Sequence, residues 1–101
     1  MNSKRICELL GIAYVAKKIA WGEVSCIEKI KNKSATLIIL ANDIGQATKK
    51  KIEHFALAND LPVVNFSTKL ELGHCIGKEV VSVIAITDKI LASKLKKLSE
   101  V

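Results

Sequence analysis

The chain has little of what marks membrane-spanning, secreted or aromatic-rich proteins. Trp, Tyr and Phe together make up 4% of its 101 residues, so the core must consist mainly of Ile, Leu, Val and Ala. No apolar run approaches the ~20 residues that a membrane-spanning helix needs. The N-terminal residues MNSKRICELLG are interrupted by charge and lack a signal-peptide pattern. We therefore expect a cytoplasmic protein without a membrane partner.

Cysteine is also sparse, and its spacing excludes the usual metal motifs. Cys7, Cys26 and Cys75 form an odd, scattered set without a CxxC pair. Together with His54 and His74 they do not offer four zinc ligands at a characteristic spacing. Because each cysteine lies beside apolar helical positions, we expect three reduced, buried thiols and no metal site.

Catalytic and cofactor motifs are missing as well. The chain contains neither GxGxxG nor GxxxxGK[ST], the glycine loops that hold nucleotide phosphates. Its Ser, His and Asp residues stand in no known nucleophile context. His74 and Cys75 are adjacent, so on a helix they point about 100° apart and do not form a catalytic pair. We expect no enzyme activity and no cofactor.

What the chain does have is positive charge. Sixteen Lys and Arg against ten Asp and Glu give a formal net charge of +6 and a pI of about 9.4. Such a balance favours anionic partners, namely RNA, DNA or acidic membranes. Charge alone does not establish such a partner, because small basic proteins are common.

Apolar runs alternate with helical patterns along the whole chain, which is typical of an α/β fold. Gly11 lies within the first helical pattern, where it would let another element approach closely. Five helices are expected between and around four strands, at residues 17–20, 35–41, 62–66 and 80–86.

Capping residues define the expected helix boundaries. Ser3 is suited to cap a first helix that runs to about residue 16. Either Asn42 or Asp43 would cap a third helix over about 44–59. Thr68 begins a capping box for the fourth helix, and Gly77 ends that helix because positive φ costs least at glycine.

Two turns, around residues 20–24 and 77–81, remain as candidate recognition elements. Each joins a helix to a strand and mixes small, charged and apolar residues. Bulged or unstacked RNA presents phosphates and splayed bases, which need cations, backbone donors and apolar platforms together. Trp21 is either such a platform or a partly buried packing residue beside a glycine turn.

Three stretches give the chain a family resemblance: LLGIAYVAKKIAWGE, ATLIILANDIGQATKKKI followed by LPVV, and TKLELGHCIGKEVVSVIAITD with its ELGxxIGK core. The chain resembles the ribosomal protein L-seven-Ae family of kink-turn RNA-binding proteins, most closely its bacterial YlxQ-type branch. The resemblance implies one domain over residues 1–101, a three-layer α-β-α sandwich with a small mixed sheet of about four strands. It also implies binding to the kink-turn, a sharply bent RNA internal loop with tandem sheared G·A pairs.

The resemblance further implies where RNA would bind. In the family the RNA lies between the turn into the second helix, here near Gly22, and the loop before the last strand, here 78–81. A lysine at the start of the fourth helix contributes, and Lys69 matches it. The candidate RNA-binding residues are Lys18, Trp21, Gly22, Glu23, Val24, Lys69, Gly77, Lys78, Glu79, Val80 and Val81.

Departures from the family pattern affect specificity. The family's Asn-Glu pair, which reads guanines, is matched here by Val24-Ser25, and a lysine one turn later is matched by Glu28. Remaining lysines and backbone amides would contact phosphates, and such contacts position an RNA without reading its sequence.

These departures leave two functions open. The first is a monomeric protein that binds structured RNA, such as ribosomal RNA, in a ribosomal or translation-factor setting. The second is a protein-interaction module that kept the fold but lost specific RNA recognition, with Trp21 and Val24 in its binding patch.

Overall fold

The computed structural model describes residues 2–100 as five helices around one four-stranded sheet. The helices are α1 (Ser3–Val15), α2 (Glu23–Lys31), α3 (Gln46–Ala58), α4 (Lys69–Cys75) and α5 (Lys89–Glu100). The strands are β1 (Ile19–Trp21), β2 (Leu37–Leu40), β3 (Val63–Asn65) and β4 (Val83–Ile86). The predicted α/β alternation is therefore confirmed. Over this range no helix has the length and apolar character needed to cross a bilayer.

The strand order is β1-β4-β2-β3, so the last strand in sequence lies inside the sheet. β4 pairs antiparallel with both β1 and β2, whereas β2 and β3 are parallel. In the first pairing Ala20 lies opposite Ala85. Antiparallel pairing places the end of β1 beside the start of β4.

The sheet separates two apolar layers, because successive side chains of a strand point to opposite faces. In β2, Leu37 and Ile39 pack with residues of α1, α4 and α5. Ile38 and Leu40 pack on the other face with residues of α2 and α3. The expected three-layer α-β-α arrangement with a mixed sheet is thus present.

Two predicted helix caps are wrong. Asn2, not Ser3, caps α1, since its side chain accepts a hydrogen bond from Arg5 N at 3.2 Å. Gly45 is the N-cap of α3. The carboxylate of Asp43 instead accepts a hydrogen bond from the backbone N–H of Lys69, the first residue of α4, at 2.8 Å.

The last strand is shorter than its apolar sequence suggests. Val80 to Ser82 lie outside β4, which begins at Val83. The backbone N–H of Val81 donates to the carbonyl of Lys69 at 3.0 Å. These residues are therefore held against α4 rather than beside another strand.

The prediction of three reduced, buried thiols is wrong for two of them. Cys7 and Cys75 form a disulfide between α1 and α4, with Cα atoms 5.1 Å apart and a sequence separation of 68. Cys26 is free and buried, as predicted. The two helices approach closely because Gly11 has no side chain: a Cβ there would lie 3.1 Å from the carbonyl oxygen of Cys75.

Candidate nucleic-acid interface

The two candidate turns lie at one corner of the molecule. The Gly22 N–H donates to the carbonyl of Val83 at 3.0 Å, which ties the turn after β1 to the start of β4. The segment 76–82 leads directly into that same end of β4. The sheet order thus brings together two turns that are more than fifty residues apart in sequence.

Lys78 and two aromatic rings connect the turns. Its Nζ lies 4.9 Å from the ring centre of Trp21 and 5.4 Å from that of Tyr14. The two rings meet edge to face with their centres 5.4 Å apart. A cation over aromatic faces is attracted by their quadrupoles, so these contacts hold the ammonium group at the corner. We call Tyr14, Trp21 and Lys78 the lysine–aromatic cluster.

Trp21 has features of both interpretations made from the sequence, an apolar platform and a partly buried packing residue. It packs against Tyr14 and Lys78, yet 38% of its surface is exposed. Tyr14 was not singled out from the sequence, although it is the chain's single tyrosine and precedes β1 by a few residues. Its partners lie on other elements, so its local spacing gave no sign of this contact.

The turn into α2 presents backbone rather than side-chain donors. Gly22 has φ of +90° and provides no side chain to cap the helix. Helix N-termini with uncapped amides attract anions. Glu23 is half-buried and its carboxylate lies 3.7 Å from Lys51 Nζ, which offsets its charge. Val24 is 75% exposed beside it.

The segment before β4 folds back along α4 because Gly73 leaves room for it. A Cβ at Gly73 would lie 2.7 Å from the carbonyl oxygen of Glu79 and 2.9 Å from that of Lys78. The backbone N–H of Lys78 also donates to the Gly73 carbonyl at 2.8 Å. Sequence reasoning missed Gly73, although a glycine inside a short helix is itself a sign of close backbone approach.

The predicted residues of this segment divide by accessibility. Gly77 has φ of +73°, as expected at the end of a helix. Glu79 is exposed and Val80 is 59% exposed; both line a groove of about 620 Å³ along α4. Val81 is different, since its side chain is only 3% exposed and packs in the core. The prediction that Val81 belongs to the recognition surface therefore fails for its side chain.

The two other predicted lysines differ in where their backbones are bound. The Lys18 carbonyl accepts a hydrogen bond from Thr87 N at 2.8 Å, which places this backbone at the opposite end of the β1–β4 pair. Lys69 opens α4, and its N–H donates to the Asp43 carboxylate at 2.8 Å. Its carbonyl accepts a hydrogen bond from the Val81 N–H at 3.0 Å, so Lys69 lies next to the second turn.

A second groove, of about 450 Å³, runs beside Trp21 between β1 and α2. Glu28 and Lys29 both line it, together with Ser25 and Asn32. Opposite charges close together make this groove less attractive to a phosphate than the corner at Lys78. Glu28, which stands where the family has a lysine, thus lines this groove.

Metal-ligating side chains are scattered over the described residues, and one thiol is buried. Within 2–100, no three His, Cys, Asp or Glu side chains are grouped so that they could hold a metal ion. Burial raises the pKa of Cys26 from 9.0 to about 12. Its thiol therefore stays protonated near neutral pH and is a poor nucleophile.

Comparison with known proteins identifies related sequences. Residues 4–96 match the ribosomal protein L7Ae/L30e/S12e/Gadd45 family. The chain is 37% identical over 87 residues to the RNA-binding protein YlxQ of Bacillus subtilis (strain 168), covering 86% of this chain and 87% of that protein. It is 32% identical over 99 residues to the RNA-binding protein YlxQ of Enterococcus faecium, covering 98% and 95%.

Solved structures share the fold. A Bacillus halodurans C protein of unknown function superposes with a TM-score of 0.93 at 32% identity, covering 96% of this chain and 98% of that one. The Giardia lamblia 15.5kD RNA binding protein superposes with a TM-score of 0.78 at 19% identity, covering 97% and 87%. On the extent of the family match and of these identities, the chain belongs to the ribosomal protein L7Ae/L30e/S12e/Gadd45 family.

Proposed function

We propose that this protein binds structured RNA, and specifically kink-turn RNA or a similarly bent internal loop. The family, and two relatives that are named RNA-binding proteins, support the RNA class. The observation that carries the proposal is the lysine–aromatic cluster, which holds Lys78 Nζ within 4.9 Å of the Trp21 ring centre beside the Gly22 turn. Positive charge, backbone donors and apolar surface are therefore available at one corner.

Each part of the corner suits one part of a bent RNA. The Lys78 ammonium and the uncapped amides at the start of α2 would contact phosphates. Val24 and Val80 are largely exposed and would contact a base that the bend has unstacked. A ligand that presents phosphates and an unstacked base together would satisfy all of these groups, whereas a regular duplex would not.

We propose that shape contributes more than base reading to recognition. Val24-Ser25 cannot form the hydrogen bonds of an amide–carboxylate pair, and Glu28 would repel a phosphate. Binding is accordingly expected to depend on the bend and to tolerate base changes within it. We further propose that the protein acts as a cytoplasmic monomer on ribosomal RNA or in a translation-factor setting.

The test compares a kink-turn duplex with a fully paired control of the same length and charge, over a range of salt. Affinity for both should fall with salt, because bound lysines release counterions from phosphates. The kink-turn should bind at least about tenfold more tightly than the control, the gain from one well-placed charged hydrogen bond. Equal, weak binding of the two RNAs at low salt would contradict kink-turn recognition.

A second candidate function is a protein-interaction module. Its supporting observation is exposed apolar surface at the two turns. Val24 is 75% exposed and Trp21 partly exposed at the first turn, and Leu70, which is 66% exposed, lines the groove beside Val80 at the second. Exposed apolar residues next to one another are typical of protein interfaces. A single protein partner that stays bound to this protein after nuclease treatment, with no RNA selected over a paired control, would favour this candidate.

A further inference from the structure

The disulfide between Cys7 and Cys75 ends beside the proposed recognition corner. Cys75 is the last residue of α4, and Lys78 follows three residues later. Both cysteines are partly exposed and line a groove of about 350 Å³, together with Lys4, Phe66 and two acidic residues, Glu8 and Glu71. The cysteine pair therefore borders a groove that is open to solvent.

Cys26 provides an internal contrast. It is fully buried, and its Sγ lies 3.6 Å from the carbonyl oxygen of Ala20. A thiol that is closed off from solvent does not exchange with small thiols, because the reaction needs a thiolate and access to it. The chain thus contains a partly exposed cysteine pair and a fully buried single thiol.

We propose that Cys7 and Cys75 are a thiol–disulfide exchange site for low-molecular-weight thiols, and that the disulfide form holds the Lys78 turn in its binding geometry. This proposal rests on the proposed function, and it names a form of regulation for the same corner. Disulfides in reducing compartments are usually transient and redox-sensing rather than structural. In the proposed cytoplasmic setting, the oxidation state of this cysteine pair would therefore follow the ratio of reduced to oxidised small thiols.

The exchange needs no reagent beyond the small thiol couple. A thiolate attacks one sulfur of the disulfide; a mixed disulfide forms, and the other cysteine leaves as a thiolate that takes up a proton. A second small thiolate then attacks the mixed disulfide, releasing the small-molecule disulfide and leaving a second protein thiol. Two electrons pass from two small thiols to the protein disulfide. Oxidation by the small-molecule disulfide is the reverse.

The contacts around α4 connect the cross-link to the turn. Gly11 of α1 packs against the Cys75 carbonyl, and Tyr14 of the same helix contacts Lys78. On the other side, Lys78 N is hydrogen-bonded to Gly73 of α4. Lys78 is therefore positioned jointly by α1 and α4, and the disulfide is the covalent bond between those two helices. Reduction breaks this bond and so removes one of the contacts that fix the position of α1 relative to α4.

The first experiment measures the exchange itself and needs no RNA. The full chain is equilibrated with mixtures of reduced and oxidised glutathione, then unfolded and alkylated, and the alkyl groups are counted by mass. Oxidised protein should carry one group, on Cys26, and reduced protein three, with a reversible transition between them. A count that stays the same at every glutathione ratio would overturn the proposal, whatever the protein binds.

The second experiment tests the link to binding. Reduced protein should bind a kink-turn duplex about threefold to tenfold more weakly than oxidised protein, the cost of ordering one or two side chains. The affinity of C7S/C75S should equal that of the reduced protein and should not change with the glutathione ratio. The affinity of Cys26→Ala should change with that ratio as the affinity of the wild type does. Equal affinities of the oxidised and reduced forms would overturn the regulatory part.

A third measurement separates this inference from the proposed function. Amide hydrogen exchange at Lys78 and Val81, whose N–H groups bond to α4, should be faster in the reduced protein. This result is expected even if no RNA binds, because it concerns the turn alone. Unchanged exchange at both amides would contradict the coupling between disulfide and turn.

Discussion

Lys78 combines two roles at the scale of a single residue. Its ammonium group is held over the rings of Trp21 and Tyr14, and its backbone N–H anchors the turn to α4. A lysine that is already held in place loses less side-chain entropy on binding than a free one. The position of Lys78, rather than its charge alone, distinguishes it from the other surface lysines.

Lys78→Glu should weaken RNA binding about tenfold or more, since it removes a charged hydrogen bond and places an acid at the corner. Lys97→Glu makes the same change in net charge on α5, where the residue is exposed. Its effect should be small, about twofold, because salt screens a distant charge. Dissociation constants for a kink-turn duplex measure both. Equal losses would mean that the protein binds through diffuse charge.

Cys26 gives a prediction about pH at the same scale. Burial raises its pKa from 9.0 to about 12, so between these values the unfolded chain loses the thiol proton while the folded chain keeps it. The folded state then binds more protons, and stability must fall as pH rises. In urea unfolding of the oxidised proteins, wild type should lose up to about 1.4 kcal/mol per pH unit above pH 9 more than Cys26→Ala does. Parallel pH profiles would contradict this prediction.

At the scale of elements, the contact between α4 and the segment 78–80 determines the shape of the second turn. Gly73 permits carbonyl groups of that segment to lie where a Cβ would be. The hydrogen bonds of Lys78 and Val81 then hold the segment along the helix. The turn is consequently part of the packed structure of α4 rather than a free loop.

Gly73→Ala tests this contact. The added methyl group would lie 2.7–2.9 Å from backbone atoms of Lys78 and Glu79, which cannot give way as a flexible side chain can. We expect a loss of about 1–3 kcal/mol in unfolding free energy despite the better helix propensity of Ala. Gly45→Ala is the control, since a Cβ there has nothing within 4 Å, and it should cost at most about 1 kcal/mol as a weaker helix cap. Urea unfolding measures both, and a Gly73→Ala protein as stable as wild type would show that the segment moves freely.

At the scale of the whole molecule, positive charge is spread over both helical layers. The run Lys49–Lys51 lies on α3, and Lys94, Lys96 and Lys97 lie on α5 across the sheet. The ion pair between Lys51 and Glu23 places the α3 run next to the turn at Gly22. Runs of lysine on helices are usually solvated surface, so position must decide whether this one contributes.

Two matched triple variants separate position from total charge. K49Q/K50Q/K51Q and K94Q/K96Q/K97Q each remove three positive charges, from +6 to +3. The α3 variant should bind a kink-turn duplex about tenfold more weakly and lower the salt slope by about 2, through lost phosphate contacts. It also leaves Glu23 without its Lys51 partner beside the turn. The α5 variant should have a much smaller effect, and equal slopes for the two variants would refute a localised interface.

The amino-acid sequence by itself determined the local features of this protein. Alternating apolar runs and helical spacing were sufficient for the α/β class and for the approximate place of each element. Thr68 caps α4 as expected, and Gly77 ends it with positive φ. Such features depend on neighbours a few residues away, and sequence spacing records those directly. The family motifs added the three-layer arrangement.

Only the tertiary structure decided which distant residues meet. It paired Cys7 with Cys75, set Lys78 on Tyr14 and Trp21, and turned Val81 into the core. These outcomes depend on β4 inserting between β1 and β2 and on α4 packing against α1. Contacts between residues that are tens of positions apart arise from how layers pack, and no local period in the sequence encodes that packing.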